Sequence, residues 1–342
     1  MSKSKIEWTD ETWNPVTGCT KVSAGCKNCY AEREWPRLTK LVPSYAGRDF
    51  GDVRCHASRL DQPLRWKKPR RVFVNSMSDL FHESVPDEFI DQVFAVMALA
   101  KQHVFQVLTK RTGRMRAYIT RLGRSAKLLD DAARTVGYTF EFQGKYLVSW
   151  PIPNIQLGVS IEDQPSADER VIELLETPAA VRWVSAEPLL GAVNLRSIEH
   201  PNYSIPADAL GGIDSRGSGG LTRDIERGTT LDWVVVGGES GPKARPMHPA
   251  WVRSLRDQCE SAGVPFLFKQ WGEWAPPTKL DDLRGLGDMM RAGKAIHIYG
   301  NGREHDGHFR KGDDHMLCVG KRASGRLLDG VQHDGYPKGE KA

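Results

Sequence analysis

The chain has no apolar run near the roughly 18 residues that a membrane-spanning helix needs. Its opening residues, Met1-Ser2-Lys3-Ser4-Lys5, lack the apolar stretch that directs secretion. No membrane partner is therefore expected. Six cysteines in 342 residues are too few for a disulfide framework, so a reducing cytosol suits them better. No segment repeats. A large excess of charge of one sign is lacking as well: the net charge of +5 permits nucleic-acid binding without requiring it. What remains, 39% hydrophobic and 27% charged residues, is ordinary globular composition. The length allows one large α/β domain or two small ones.

Short apolar runs then mark buried strands: Arg71–Ser76, His103–Thr109, Ile155–Ser160, Val181–Ser185, Asp232–Gly237 and Val264–Lys269, with Thr12–Pro15 as a first short strand. They are rich in Val, Ile and Phe without clean alternation, which fits a parallel sheet covered on both faces. Helical spacing lies between them. Ser84 is a candidate N-cap with Pro86 in the first turn, followed by the stripe Phe89, Ile90, Val93, Phe94 and Met97; Asp168–Glu176 and Pro249–Ala262 read the same way. Strand–helix alternation of this kind predicts a barrel or a doubly wound sheet. Residues about 120–150, containing Tyr138–Val148, read as an inserted hairpin. Residues about 194–230, rich in Gly, Ser, Asp and Arg, read as a mobile loop or lid. Residues 1–271 then form the main domain and 272–342 an extension packed on it.

Polar residues collect after the strands: Asn75, Ser76, Ser78 and Asp79; Thr109, Lys110 and Arg111; Ser160 and Glu162; Ser185 and Glu187; Gly237, Gly238 and Glu239; Lys269, Gln270 and Trp271. Parallel α/β folds build active sites at these carboxyl ends. Basic residues cluster in Arg65-Trp66-Lys67-Lys68-Pro69-Arg70-Arg71 and again at Arg111, Arg114, Arg116, Arg121 and Arg124. Such clusters serve as phosphate grips or as solvated helix faces.

Cys19, Cys26 and Cys29 lie within eleven residues as C-x6-C-x2-C. Three thiolates without a fourth suit an iron–sulfur cluster with one open iron. The alternative is a closed zinc site completed by Cys55 or His56. Cys259 falls on an apolar helix face and reads as core.

The cysteine loop ending in Cys29-Tyr30, followed by an α/β array, resembles the radical S-adenosylmethionine superfamily. A phage-borne branch of it is suggested by Trp13–Cys19, Ser76–Phe81, Leu108–Arg111, Ser185–Leu189, Gly237–Gly241, Lys269–Gly272 and Gly320–Gly330. The sequence departs from the common pattern in three places. The first gap holds six residues, Asn28 stands where an aromatic is usual, and Asn75–Asp79 replaces the Gly-Gly-Glu after the second strand.

The resemblance implies a partial (β/α)6-type TIM-like barrel of mostly parallel strands, with the hairpin and C-terminal extension as additions. It implies a 4Fe–4S cluster on Cys19, Cys26 and Cys29. S-adenosyl-L-methionine would be contacted by Tyr30, Ser76, Ser78, Asp79, Ser160, Glu162 and Glu187, and a reducing electron donor would start the chemistry. A 5′-deoxyadenosyl radical would then abstract hydrogen from the substrate. Relatives of this branch imply DNA carrying modified thymidine as the partner, in the cytoplasm of an infected bacterial host. The reaction implied is isomerisation of a glycinyl or similar amino-acid appendage from nitrogen to carbon linkage. Lys110, Glu239, Lys269, Gln270 and Trp271 would then meet the substrate. Arg65, Trp66, Lys67, Lys68, Arg70, Arg71, Arg111 and Arg114 would meet the nucleic acid, with Trp66 or Trp271 stacking on an extruded base. A radical lyase or methyltransferase on DNA or RNA, and a non-catalytic zinc-binding nucleic-acid protein, are the rival readings.

Overall fold

Seven strands carry the fold: β1 (Glu11–Trp13), β2 (Arg71–Val74), β3 (Val104–Thr109), β4 (Ile155–Ile161), β5 (Val181–Ala186), β6 (Trp233–Gly237) and β7 (Phe266–Gln270). The computed structural model describes residues 4, 6–123, 127–139, 150–199, 206–212, 229–277, 284–298 and 314–337. The strands are hydrogen-bonded in chain order, β1 through β7, and β1–β2, β2–β3, β3–β4 and β6–β7 pair in parallel. A doubly wound sheet reverses its order at a switch point. This one never does, and sequential order is the topology of a partial (β/α) barrel. It has one strand more than the six-stranded form expected.

All seven residues of β4 and all five of β6 are buried, which is why these strands show no alternation. The helices are α1 (Tyr30–Leu41), α2 (Asp87–Leu99), α3 (Thr112–Gly123), α4 (Lys127–Thr135), α5 (Gln164–Leu175) and α6 (Pro249–Ala262). The expected cap at Ser84 is displaced to Pro86, whose extended backbone (ψ 144°) precedes Asp87 and Glu88 in the first turn. Two acids there suit the positive end of the helix. Helix α5 starts four residues before the expected Asp168. Its entry is fixed by a reciprocal cap: the Asp163 carboxylate accepts from the Ser166 backbone N–H (3.0 Å), and Ser166 Oγ accepts from the N–H groups of Glu162 (2.8 Å) and Asp163 (3.0 Å). Helix α6 has the bounds expected, with His248 Nδ1 accepting from the Ala250 N–H and Gly263 at φ 68° closing it.

Two compact units divide the chain. The first comprises Met1–Ser23, Cys29–Ser160 and Glu173–Trp183; the second comprises Ala24–Asn28, Ile161–Ile172 and Val184–Ala342. The first holds an aromatic core in which Trp8 meets Phe73 and Trp183 edge-on. Beneath α1, Ala31, Trp35, Tyr45 and Met77 bury one another with Cys29 and Phe50 at the margin. The second unit contains, after β7, a three-stranded antiparallel sheet of Trp274–Ala275, Asp314–Cys318 and Ala295–Ile298. Of the insertion expected at about 120–150, residues Lys127–Thr135 form helix α4, while the expected hairpin Tyr138–Val148 falls mostly on 140–149, outside the described residues; most of the expected lid, 200–205 and 213–228, lies outside them as well. Among the described residues, no helix is long and apolar enough to cross a membrane.

One half-buried histidine in the first unit predicts how the fold responds to acid. His56 shares a 2.8 Å hydrogen bond with Thr17 Oγ1. Burial, then Arg59, Arg48 and Arg54, push its pKa from 6.5 down to about 4. The folded value lies below the unfolded one, so folding favours the neutral ring. Its contribution is intact above pH 6.5 and is lost as the pH falls from 6.5 towards 4. The full shift corresponds to roughly 3 kcal/mol, and solvent at the half-buried ring reduces that to about 1–2 kcal/mol. Denaturant midpoints for His56→Gln should therefore fall less than those of the wild type between neutral and acid pH.

Candidate functional site

The strand-end residues hold the cysteine loop. In the first unit, Asn75 leaves β2 in the left-handed region at φ 62°, and its Oδ1 accepts from the Val16 N–H (3.2 Å). Asn14 Oδ1 accepts from the Met77 N–H (2.9 Å) and from Ser76 Oγ (3.2 Å), while Ser78 Oγ donates to the Val16 carbonyl (2.9 Å). Gly18 bridges to Ser78 and has φ 92°; a Cβ there would stand 2.4 Å from the Asp52 carbonyl oxygen. The Cys19 N–H donates to the Phe50 carbonyl at 2.9 Å. Ser76 and Ser78, expected at the cofactor, thus donate their hydroxyl protons to the strip of chain leading to Cys19.

Asp79 and Arg111 form the charged centre of this unit. The Asp79 carboxylate accepts from Thr109 Oγ1 (2.8 and 2.9 Å), the Lys110 N–H (3.1 Å) and Arg111 Nη1 (3.3 Å). Arg111, only 8% exposed, also donates through Nε to both Glu83 oxygens at 3.0 Å and through Nη2 to Thr20 Oγ1 at 2.9 Å. Its Nη1 lies 3.7 Å from Cys19 Sγ. A buried guanidinium beside a thiol favours the thiolate that a metal requires. Arg111 therefore belongs to the cysteine loop and is not a phosphate grip on the surface.

The second unit holds the peptide that carries Cys26. Glu162 after β4 is 1% exposed and pairs with Arg170 Nη1 at 3.0 Å. Gly25 presses on that carboxylate so closely that a Cβ would stand 2.4 Å from Oε1. Glu239 after β6 accepts from Asn28 Nδ2 (2.9 Å) and from Arg245 (2.6 Å at Oε1). Burial alone would raise its pKa, but the bonds from Arg245 and Asn28 outweigh it and hold the carboxyl below the usual range. Glu187 after β5 takes Ser185 Oγ (3.0 Å) and Lys269 Nζ (2.9 Å). The paired glycines are a packing requirement: a Cβ on Gly237 would meet Glu187 Oε1 at 2.5 Å, and one on Gly238 the Trp271 carbonyl oxygen at 1.9 Å.

The remaining expected residues scatter. Tyr30 opens α1 and is 58% exposed, and Ser160 is buried near the end of β4. Gln270 is buried, with Nε2 donating to Ser240 Oγ at 3.0 Å. Trp271 is 3% exposed and donates its indole N–H to the Leu327 carbonyl, and Trp66 is 6% exposed with Arg70 over its ring. Neither indole offers a face to a flipped base; both are core, because an indole buries more apolar area than any other side chain. Arg70 pairs with Glu11 (2.6 Å), Arg71 with Asp10, Arg65 with Asp61 (2.8 Å) and Arg114 with Asp87 (3.1 Å), while Lys67 and Lys68 are exposed. Sequence reasoning missed Arg245, Arg170 and Asn14. Only the last stood in a quoted motif; the two arginines lie on a loop and a helix with no local sign of what they reach.

None of the six cysteines is in a disulfide. Burial pushes the Cys259 thiol up to about 12, as befits a core residue. His56 is bonded to Thr17, and Cys55 lies in a two-residue strand opposite Val16. Among the described residues, no three His, Cys, Asp or Glu side chains are gathered to hold a metal ion. The donor chemistry of Cys19, Cys26 and Cys29 nonetheless fits an iron–sulfur cluster: three soft thiols on one loop, with Cys19 beside a buried cation and Cys29 at the cap position of α1.

The chain belongs to the family described as "Protein of unknown function (DUF5131)", whose profile matches residues 3–337. No curated protein and no solved structure matches it.

Proposed function

We propose that the chain is a radical S-adenosylmethionine enzyme that acts on modified thymidine in phage DNA and moves an amino-acid appendage from nitrogen to carbon linkage, in the cytoplasm of the infected bacterium. The observation that carries this reading is the cysteine loop itself. Polar residues after β2 brace the approach to Cys19, and acids after β4 and β6 brace the peptide around Cys26. Strand ends spent on bracing these stretches of the loop support a reading in which the loop carries the chemistry.

Cys19, Cys26 and Cys29 would hold the cluster. When bound, the cluster and S-adenosylmethionine supply one-electron cleavage of the sulfonium and abstraction of a hydrogen atom. The chain's own groups do the rest. Arg111 balances negative charge at Cys19 while Asp79 and Glu83 hold it in place. Lys110, whose backbone N–H is anchored on Asp79, is the cation for the appended carboxylate. Lys67 and Lys68 are exposed cations for the phosphate backbone.

Anaerobic reconstitution with iron and sulfide should give brown protein that forms 5′-deoxyadenosine after reduction. Cys26→Ala should lose both colour and product. Nucleosides from hypermodified DNA should keep their mass and change retention after incubation. A changed mass would replace isomerisation by a lyase or methyltransferase reaction. Colourless protein with zinc closed by a fourth side chain would end the enzyme reading altogether.

A further inference from the structure

We infer that Glu239, Arg245 and Asn28 form a clamp that positions Cys26 for metal binding, an inference that rests on the reading of Cys26 as a cluster ligand. Cys26 sits midway along the five-residue peptide Ala24–Asn28, and the clamp grips that peptide at both ends. At one end the Arg245 Nη2 donates to the Ala24 carbonyl at 3.0 Å. At the other, Asn28 Nδ2 donates to Glu239 Oε2 and to the Lys243 carbonyl, each at 2.9 Å. The amide has two N–H donors and both are used, which fixes its orientation.

The clamp is rigid from behind. Glu239, 6% exposed, also accepts from the Arg245 backbone N–H (2.8 Å) and Nε (2.9 Å). The 239–245 turn is pinned by the Glu273 N–H on the Glu239 carbonyl (3.0 Å), Glu273 Oε1 on the Gly241 N–H (2.8 Å) and the Trp274 indole on the Ala244 carbonyl (2.7 Å). Gly272, at φ 88°, approaches so closely that a Cβ would lie 2.1 Å from the Glu239 carbonyl oxygen. A side chain at 28 without an N–H or O–H would leave Glu239 without this donor. Asn28 ties the peptide to a charged anchor. These are positioning residues, acting through the peptide and not on substrate.

The test uses the full chain without iron. Alkylation of each cysteine by iodoacetamide is followed anaerobically by peptide mass spectrometry. Losing a hydrogen bond to a charged group lets the peptide open more often, so Asn28→Ala should speed Cys26 alkylation about tenfold, with Cys259 unchanged. Asn28→Asp, which sets a carboxylate against Glu239, should do the same. A Cys26 rate that stays at the wild-type value overturns the clamp, and so does a rise shared by every cysteine, which would mean general loosening of the fold. Failure of the wild type to take up iron would sink the proposed function while leaving the alkylation result standing, so the two failures are distinguishable.

Discussion

Arg170→Met should cost about 3–5 kcal/mol of folding stability, read as a fall in denaturant midpoint at neutral pH. Arg170 and Glu162 are 3% and 1% exposed in their side chains and 3.0 Å apart. An isolated surface pair contributes less than about 1 kcal/mol, because water solvates either partner once the other is gone. Here water is excluded, so removing the guanidinium leaves a buried carboxylate that has lost this ion pair. The double variant Glu162→Gln with Arg170→Met should recover most of the loss, since no charge is then stranded. A loss under about 1 kcal/mol for Arg170→Met would mean that solvent reaches the pair. Because Gly25 rests on Glu162, the same substitution should also loosen the peptide that carries Cys26.

The second large effect has the opposite sign from the usual rule. Replacing a strand glycine by alanine ordinarily stabilises, through the unfolded chain's lost freedom, by about 0.4–1 kcal/mol. Gly158 lies in the middle of β4, paired with Leu108, and a Cβ there would stand 2.4 Å from two atoms of the Trp183 ring. Trp183 is fully buried and meets Trp8 edge-on at 5.2 Å, so the indole cannot swing away. Gly158→Ala should therefore destabilise by about 3 kcal/mol. In a double-mutant cycle with Trp183→Leu, the penalty of the alanine should shrink sharply, with a coupling of about 1–2 kcal/mol. An alanine as well tolerated beside Trp183 as beside Leu would show that the contact is not the cause.

Much of this fold was legible along the chain because strands buried on both faces leave an unmistakable run of Val, Ile and Phe. Arg71–Val74, Ile155–Ile161 and Trp233–Gly237 stand within two residues of where composition places them. Helix entries were harder. Ser84 has the right chemistry for a cap, yet Pro86 takes that place, since its fixed φ commits the chain two residues later. The choice between a barrel-like and a doubly wound sheet was open, because both are written in the same strand–helix alternation. Only the order in which strands pair separates them.

The site divides in the same way. Gathering polar residues at strand ends is a local property, so Asp79, Glu162, Glu187 and Glu239 could be picked out as a set. What each one holds is not local. Glu239 meets Asn28 across 211 positions, and Arg111 meets Cys19 across 92. Trp66 and Trp271 show the converse error: an aromatic beside basic residues looks like a stacking platform until its burial is known.

The linear chain determined the strands, the cysteine spacing and the residue types available at each loop, because these follow from composition over a few neighbouring positions. Tertiary structure alone decided that the polar strand ends grip the cysteine loop, for those partners become neighbours only once parallel strands are laid side by side.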